Sequence, residues 1–139
     1  MSEDRAAEIQ KFFAGLFPDR LGLRLLEATK QRVVGELVVT RELCTLPGRA
    51  HGGMLMAMAD TLAAVGAVLN LPDGAGTTTL ESKTNFFAAG PEGATLRAGA
   101  TPLHVGWRTM VWQTRIQAGD ALVALVTQTQ MVLPPRGQD

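Results

Sequence analysis

Residues 51–70 read His51-Gly52-Gly53-Met54-Leu55-Met56-Ala57-Met58-Ala59-Asp60-Thr61-Leu62-Ala63-Ala64-Val65-Gly66-Ala67-Val68-Leu69-Asn70, followed by Leu71-Pro72-Asp73-Gly74. Ala, Leu and Met are strong helix formers, so the stretch predicts a helix over roughly residues 52–70 that Pro72 and Gly74 terminate. It is apolar on nearly every face, and such a helix must be buried all round. Asp60 is the only charged side chain on it. A carboxylate in that setting is costly unless it is paired, protonated or solvated in a cleft. Either a neighbouring strand satisfies Asp60 with backbone donors or an arginine, or it lines a water-accessible cleft and acts as a base or nucleophile.

The flanks on both sides read mostly as strands. Upstream, Ile9, Phe12, Phe13 and Leu16 recur at helical spacing, which predicts an amphipathic helix over residues 3–17 with Ser2 as N-cap and Pro18-Asp19 as its stop. From Leu21 to Leu43 the pattern changes to alternation, with a turn at Lys30–Arg32. The Pro47-Gly48 pair marks a loop over residues 45–49. Downstream, four strands are predicted over residues 77–88, 95–103, 108–117 and 121–133, with a tight turn at Ala118-Gly119-Asp120. The order is an N-terminal helix, two strands, one long apolar helix and four strands. An antiparallel sheet of five to six strands wrapped around the helix buries it most simply, and a second copy of the chain is the natural cover for any face left over. Residues 1–139 are expected to form a single domain, with 1–19 as the N-terminal helical segment and 134–139 as a polar tail.

Composition narrows the function. The chain has 13 basic and 13 acidic residues and 46% hydrophobic residues, so no basic footprint for nucleic acid or for a membrane surface is expected. Such near-neutrality favours self-association. Cys44 is the only cysteine, which excludes an intramolecular disulfide and a cysteine-based zinc site. The run from Met54 to Leu69 is short for a bilayer span and is interrupted by Asp60, Thr61 and Gly66. Residues 1–20 lack the apolar stretch of a signal peptide. A soluble, cytoplasmic protein is expected, with no metal or redox cofactor.

His51-Gly52-Gly53 opens the helix. Glycines there admit a ligand close to the backbone, and the first N–H groups of a helix point outward with partial positive charge. That arrangement suits a polarised carbonyl or an oxyanion, although a glycine-eased turn into a helix is also common. Gly53 and Asp60 lie about 10 Å apart along the axis, too far to meet at one carbonyl from a single helix. Two antiparallel copies of the helix would bring Gly53 of one chain near Asp60 of the other, and a site that uses both would be shared between subunits.

The string from His51 to Asp60 resembles the signature of hotdog-fold thioesterases, HGG followed by an acid nine positions after the histidine, in particular the phenylacetate-pathway and Arthrobacter-type hydroxybenzoyl-CoA members. The segment Pro102-Leu103-His104-Val105-Gly106-Trp107-Arg108, with Val111-Trp112-Gln113 after it, is similar to the menaquinone- and enterobactin-pathway members. Together the motifs cover roughly residues 20–133. The resemblance implies an α+β hotdog fold and hydrolysis of acyl-CoA thioesters, aromatic or medium-chain, by a homo-oligomer built as a dimer or a dimer of dimers, with CoA entering only as part of the substrate. It implies that Asp60 is the catalytic carboxylate and that the Gly53 N–H polarises the carbonyl. His51 and Gly52 would shape the turn, and Thr79 would sit near the reacting group. Phe86, Phe87, Ala88 and Ala89, with His104, Val105, Gly106, Trp107, Arg108 and Thr109, would line the CoA channel, with Arg108 for a phosphate. The chain departs from the pattern at Thr45, where many members carry Asn or Gln, and at Ala64, where others carry Ser or Thr, so that Thr61 is the nearest hydroxyl. Phe86, Phe87 and Ala88 stand where some relatives place His or Arg. Two rival readings are an acyl-thioester dehydratase or hydratase, and a non-catalytic acyl-CoA sensor.

Overall fold

A computed structural model describes residues 3–137. The elements are α1 (Ala6–Phe12), α2 (Phe17–Arg20), β1 (Arg24–Ala28), β2 (Val33–Val38), a 3-10 turn (Arg41–Leu43), β3 (Cys44–Thr45), β4 (Arg49–Ala50), α3 (Gly52–Leu69), β5 (Gly76–Phe86), β6 (Thr95–Val105), β7 (Thr109–Ala118) and β8 (Ala121–Leu133). Six strands form one antiparallel sheet in the order β1-β2-β6-β7-β8-β5. The long helix α3 lies on its concave side against β2, β5, β6, β7 and β8. This is the hotdog fold.

Two sequence expectations need correction at the N-terminus. The helix expected over residues 3–17 is two helices. Gly15, at φ +77°, breaks the run after α1, and the Asp19 carboxylate accepts the Gly15 N–H at 3.0 Å. Pro18 does not stop a helix but sits in the first turn of α2, where its missing N–H costs nothing. Ser2 lies outside the described residues. The acceptor at the start of α1 is Asp4, whose Oδ1 takes the N–H of Ala6 at 2.9 Å and that of Ala28 at 3.0 Å, tying α1 to the end of β1. The loop expected over residues 45–49 is the tip of a short hairpin, because Cys44–Thr45 pairs with Arg49–Ala50 across it.

The centre follows from residue size. Met58, Leu62 and Ala63 on α3 are fully buried beside Leu96, Trp112 and Ile116 from the sheet. The Trp112 ring passes so close under α3 that a Cβ on Gly66 would stand 2.3 Å from it. Only glycine fits there, and the contact fixes how near the helix approaches β7. By length and composition α3 could also cross a membrane, which corrects the expectation that the run is too short; in this fold it is the core helix of the sheet.

One stripe of α3 stays uncovered. Gly53 and Val68 are exposed, and Met56, Ala57, Asp60, Thr61 and Ala64 are half-buried. Their spacing of three to four residues makes them a single helical face. Beside that stripe, β5 ends the sheet with its outer backbone edge unpaired among the described residues. Leu80 and Phe86 are exposed on it.

Candidate active site

Asp60 occupies the middle of the uncovered stripe and reaches two strands. Its Oδ1 accepts the Thr79 hydroxyl of β5 at 2.7 Å and the Gln128 side-chain amide of β8 at 3.0 Å. Its Oδ2 has no hydrogen-bond partner among the described residues. The network continues inward. Gln130 Oε1 accepts from Gln128 Nε2 at 2.8 Å and lies 2.7 Å from the Thr79 hydroxyl, and Gln130 Nε2 donates to Thr77 Oγ1 at 3.2 Å. Thr77 in turn donates to the Met131 carbonyl at 2.9 Å. Among the described residues Asp60 takes part in no ion pair. Hydroxyl and amide donors on β5 and β8 satisfy one oxygen and leave the other free.

The start of α3 is built differently. His51 is its N-cap, and His51 Nδ1 accepts the Gly53 N–H at 2.8 Å. The Met54 and Leu55 amides both donate to the His51 carbonyl. The Gly52 N–H is therefore the amide of this first turn that has no acceptor among the described residues. The sequence expectation placed the polarising donor at Gly53; the structure engages that amide with the histidine and leaves its neighbour open. A cleft of about 390 Å³ adjoins this turn, lined by Thr45, Arg49, Ala50, Gly52, Leu55 and the run from Phe86 to Gly90. The Phe86 ring lies over Gly52, where an added Cβ would stand 3.2 Å from it.

Of the residues named from sequence, the structure brings Thr45, Gly52 and Phe86–Ala89 together around this cleft, and Asp60 with Thr79 further along α3. Thr61 points its hydroxyl back into its own helix, donating to the Ala57 carbonyl at 2.8 Å. His104, Val105, Gly106, Trp107, Arg108 and Thr109 form the β6–β7 hairpin at the far end of the sheet, where Trp107 is 86% exposed. The two stretches expected to share a CoA channel do not meet within one chain. Phe86 stands level with Ala124 and Ile116, whereas His104 pairs with Val111 near the start of β7. The run from Ile116 back to Thr109 is about 23 Å at the usual rise of a strand.

Sequence reasoning missed Gln128, Gln130 and Thr77. The available signal is phase. Ala124 and Val126 are buried, and Gln128 and Gln130 continue the same alternate positions into the interior. Thr127 and Thr129 between them make both faces of the strand polar and hide the alternation.

The model of the family described as "Thioesterase superfamily" matches residues 47–124, more than half of the chain. The chain belongs to the thioesterase superfamily. Hydrolysis of a thioester is the activity this membership assigns. The matched segment of this thioesterase runs from the β3–β4 hairpin to the first part of β8 and contains His51, Gly52, Asp60 and Thr79. The chain is 32% identical over 104 residues to a Deinococcus radiodurans protein provisionally named an esterase, covering 75% of this chain and 68% of that one. It is 28% identical over 98 residues to a 1,4-dihydroxy-2-naphthoyl-CoA hydrolase of Listeria monocytogenes, covering 70% and 79%. In fold it is similar to the crystal structure of a thioesterase from Haemophilus influenzae, with a TM-score of 0.89 at 21% identity over 96% of this chain and 93% of that one.

Proposed function

We propose that this thioesterase hydrolyses acyl-CoA substrates, aromatic or medium-chain, to the free acid and CoA, with Asp60 as general base or nucleophile. The observation that carries the reading is the state of Asp60. It is the only charged group on the core helix, with Oδ1 held by two donors and Oδ2 free, among the described residues, on a face that those residues leave half-covered. As a base, Oδ2 takes a proton from water while the water oxygen bonds to the thioester carbonyl carbon. The C–S bond then breaks, and the departing CoA sulfur receives the proton. The charge that develops on the carbonyl oxygen needs a donor, and the Gly52 N–H at the positive end of α3 is the free one.

Gly52 and Asp60 of one helix are about 12 Å apart along the axis, so the reading includes a homodimer in which each site takes Gly52 from one copy and Asp60 from the other. The uncovered stripe of α3 and the open edge of β5 support it, since both are surfaces a second copy would bury. In such an assembly the Phe86–Ala89 run and the His104–Thr109 hairpin come from different copies to line the CoA channel, with Arg108 placed for a phosphate and Thr45 beside the acyl end. CoA enters as part of the substrate, no metal is needed, and the cytoplasm, where acyl-CoA is made, is the proposed location.

The test is free-thiol release from benzoyl-CoA, phenylacetyl-CoA and octanoyl-CoA by the purified protein and by Asp60→Asn. Turnover of at least one substrate is expected, with a loss of about a hundredfold or more in the variant, the size of losing a general base. Full activity in Asp60→Asn would remove Asp60 from the mechanism. Absence of turnover on every substrate would turn attention to a sensor or a dehydratase.

A further inference from the structure

We propose that Gln130 and Gln128 are opposed positioning residues for Asp60, Gln128 favouring its charged form and Gln130 its protonated form through the Thr79 hydroxyl. The inference rests on Asp60 acting as the base and goes beyond that reading by naming the residues that balance its charged and protonated forms.

The network fixes every hydrogen in it but one. Gln128 Nε2 has two hydrogens and two acceptors, Asp60 Oδ1 at 3.0 Å and Gln130 Oε1 at 2.8 Å. Turning that amide over would set its oxygen against two acceptors, so its orientation is determined. Gln130 Nε2 donates to Thr77 Oγ1, and the Thr77 hydrogen goes to the Met131 carbonyl, which fixes Gln130 as well. Thr79 is different. Its hydroxyl carries one hydrogen and stands 2.7 Å from both Asp60 Oδ1 and Gln130 Oε1. It can serve only one of them at a time.

The charge on Asp60 decides which. An ionised carboxylate is the stronger acceptor, and the hydrogen goes to it. Once Oδ2 has taken a proton from water, the carboxyl is neutral and the hydrogen turns to Gln130 Oε1. Gln130 thus keeps a good hydrogen bond available to Thr79 in the protonated state, whereas Gln128, whose amide stays a donor to Oδ1, holds the ionised form more strongly than the neutral one. Both glutamines are 1% exposed, so solvent does not replace either contact. Among the described residues no charged group of the surrounding strands hydrogen-bonds or ion-pairs with Asp60. Glu36 of β2 pairs with Arg24, and His104 of β6 is exposed near the β6–β7 turn. Glu81, Lys83, Arg97 and Arg115 occupy the alternate positions of β5, β6 and β7 and are exposed on the opposite face, and β8 carries no charged residue. His51 caps the start of α3, nine residues before Asp60.

The test is the pH profile of kcat/KM for wild type, Gln128→Met, Gln130→Met, Thr79→Val, Thr79→Ser and Thr79→Val/Gln130→Met, on the fastest of the three acyl-CoAs. Circular dichroism and thermal melting establish folding. The expected result is that the acid limb moves to higher pH in Gln128→Met and to lower pH in Gln130→Met, each by about one unit, the size of one hydrogen bond to a charged group. Thr79→Ser should keep the wild-type limb. The double variant should fall short of the sum of the two single shifts, since Gln130 and Thr79 share one hydrogen bond, while the contact of Gln130 with Gln128 is lost in both Gln130 variants. Shifts in the same direction, no shift, or additive effects in the double variant would overturn the proposal. Should Gln130→Met not fold, the near-isosteric Thr79 pair still decides, because a limb identical in Thr79→Val and Thr79→Ser contradicts a hydroxyl switch. Asp60→Asn in the same series separates the two levels: an active Asp60→Asn sinks the base itself, whatever the glutamines do.

Discussion

The start and the middle of α3 are built on opposite plans. Around Asp60, one chain supplies almost everything: two strands deliver hydroxyls and amides in fixed register, and one carboxylate oxygen is tied down while the other is left free. Around Gly52, the same chain leaves things undone. An amide has no acceptor, the cleft is open, and Phe86 and Phe87 are exposed at 52% and 59%. The difference shows which half of the chemistry a single fold can pre-organise. A charged group needs its partners in place before substrate arrives, because an unsatisfied buried charge is costly. An oxyanion donor must stay unsatisfied until the carbonyl oxygen develops charge.

The largest expected effect breaks the Asp60 cluster. Asp60→Asn should lower kcat by about a thousandfold, within the range for loss of a general base, with little change in melting temperature, because the amide oxygen can still accept from Thr79 and Gln128. The next breaks the Gly52 end alone. Gly52→Pro deletes the free N–H at a position where proline suits a helix. The preceding His51 already has the extended backbone that proline requires, φ −64° and ψ 137°. A loss of about a hundredfold in kcat is expected, as for one oxyanion donor. Phe86 should adjust, since its ring is half-exposed. Wild-type kcat in Gly52→Pro with melting unchanged would remove the Gly52 N–H from the reaction.

A third variant sharpens the comparison through stability. Gly66→Ala forces a methyl into the Trp112 ring in the half of α3 that follows Asp60, and overpacking of that kind costs about 1–3 kcal/mol. A clear fall in melting temperature is expected, with activity per folded molecule reduced as α3 lifts from β5 and β8. The smallest effect is expected from Thr61→Ala. Its hydroxyl is turned to its own helix backbone, so activity within about twofold of wild type, the range of a surface-like change, is expected. A tenfold loss would place Thr61 in the site after all.

Much of this contrast is legible in the sequence. The apolar helix around a single carboxylate, the glycines at its start and the strand spacing downstream all follow from local pattern, and the sheet they imply is the one found. What local pattern does not carry is which partner a group chooses across the fold. His51 Nδ1 could cap either neighbouring amide as far as the sequence goes, and only the backbone angle at the N-cap selects Gly53 and frees Gly52. Gln128 and Gln130 lie 68 and 70 positions from Asp60 and read as ordinary strand residues until the register of β8 with β5 turns them inward. The helix break at Gly15 escaped because the apolar spacing of Ile9, Phe12, Phe13 and Leu16 runs straight through it. The separation of the two expected channel stretches depends on strand direction, which residue spacing does not report.

The most direct test of a site divided between the start of α3 in one copy and its middle in the other uses two disabled variants together. Asp60→Asn keeps a good Gly52, and Gly52→Pro keeps a good Asp60. When the two are co-expressed with different tags and the mixed dimer is isolated, one of its two sites regains both groups in the arrangement proposed. The predicted result is recovery to about half the wild-type activity per dimer, far above either variant alone. A mixed dimer no more active than its parents, with the dimer itself verified, would contradict the account and return the whole reaction to one chain.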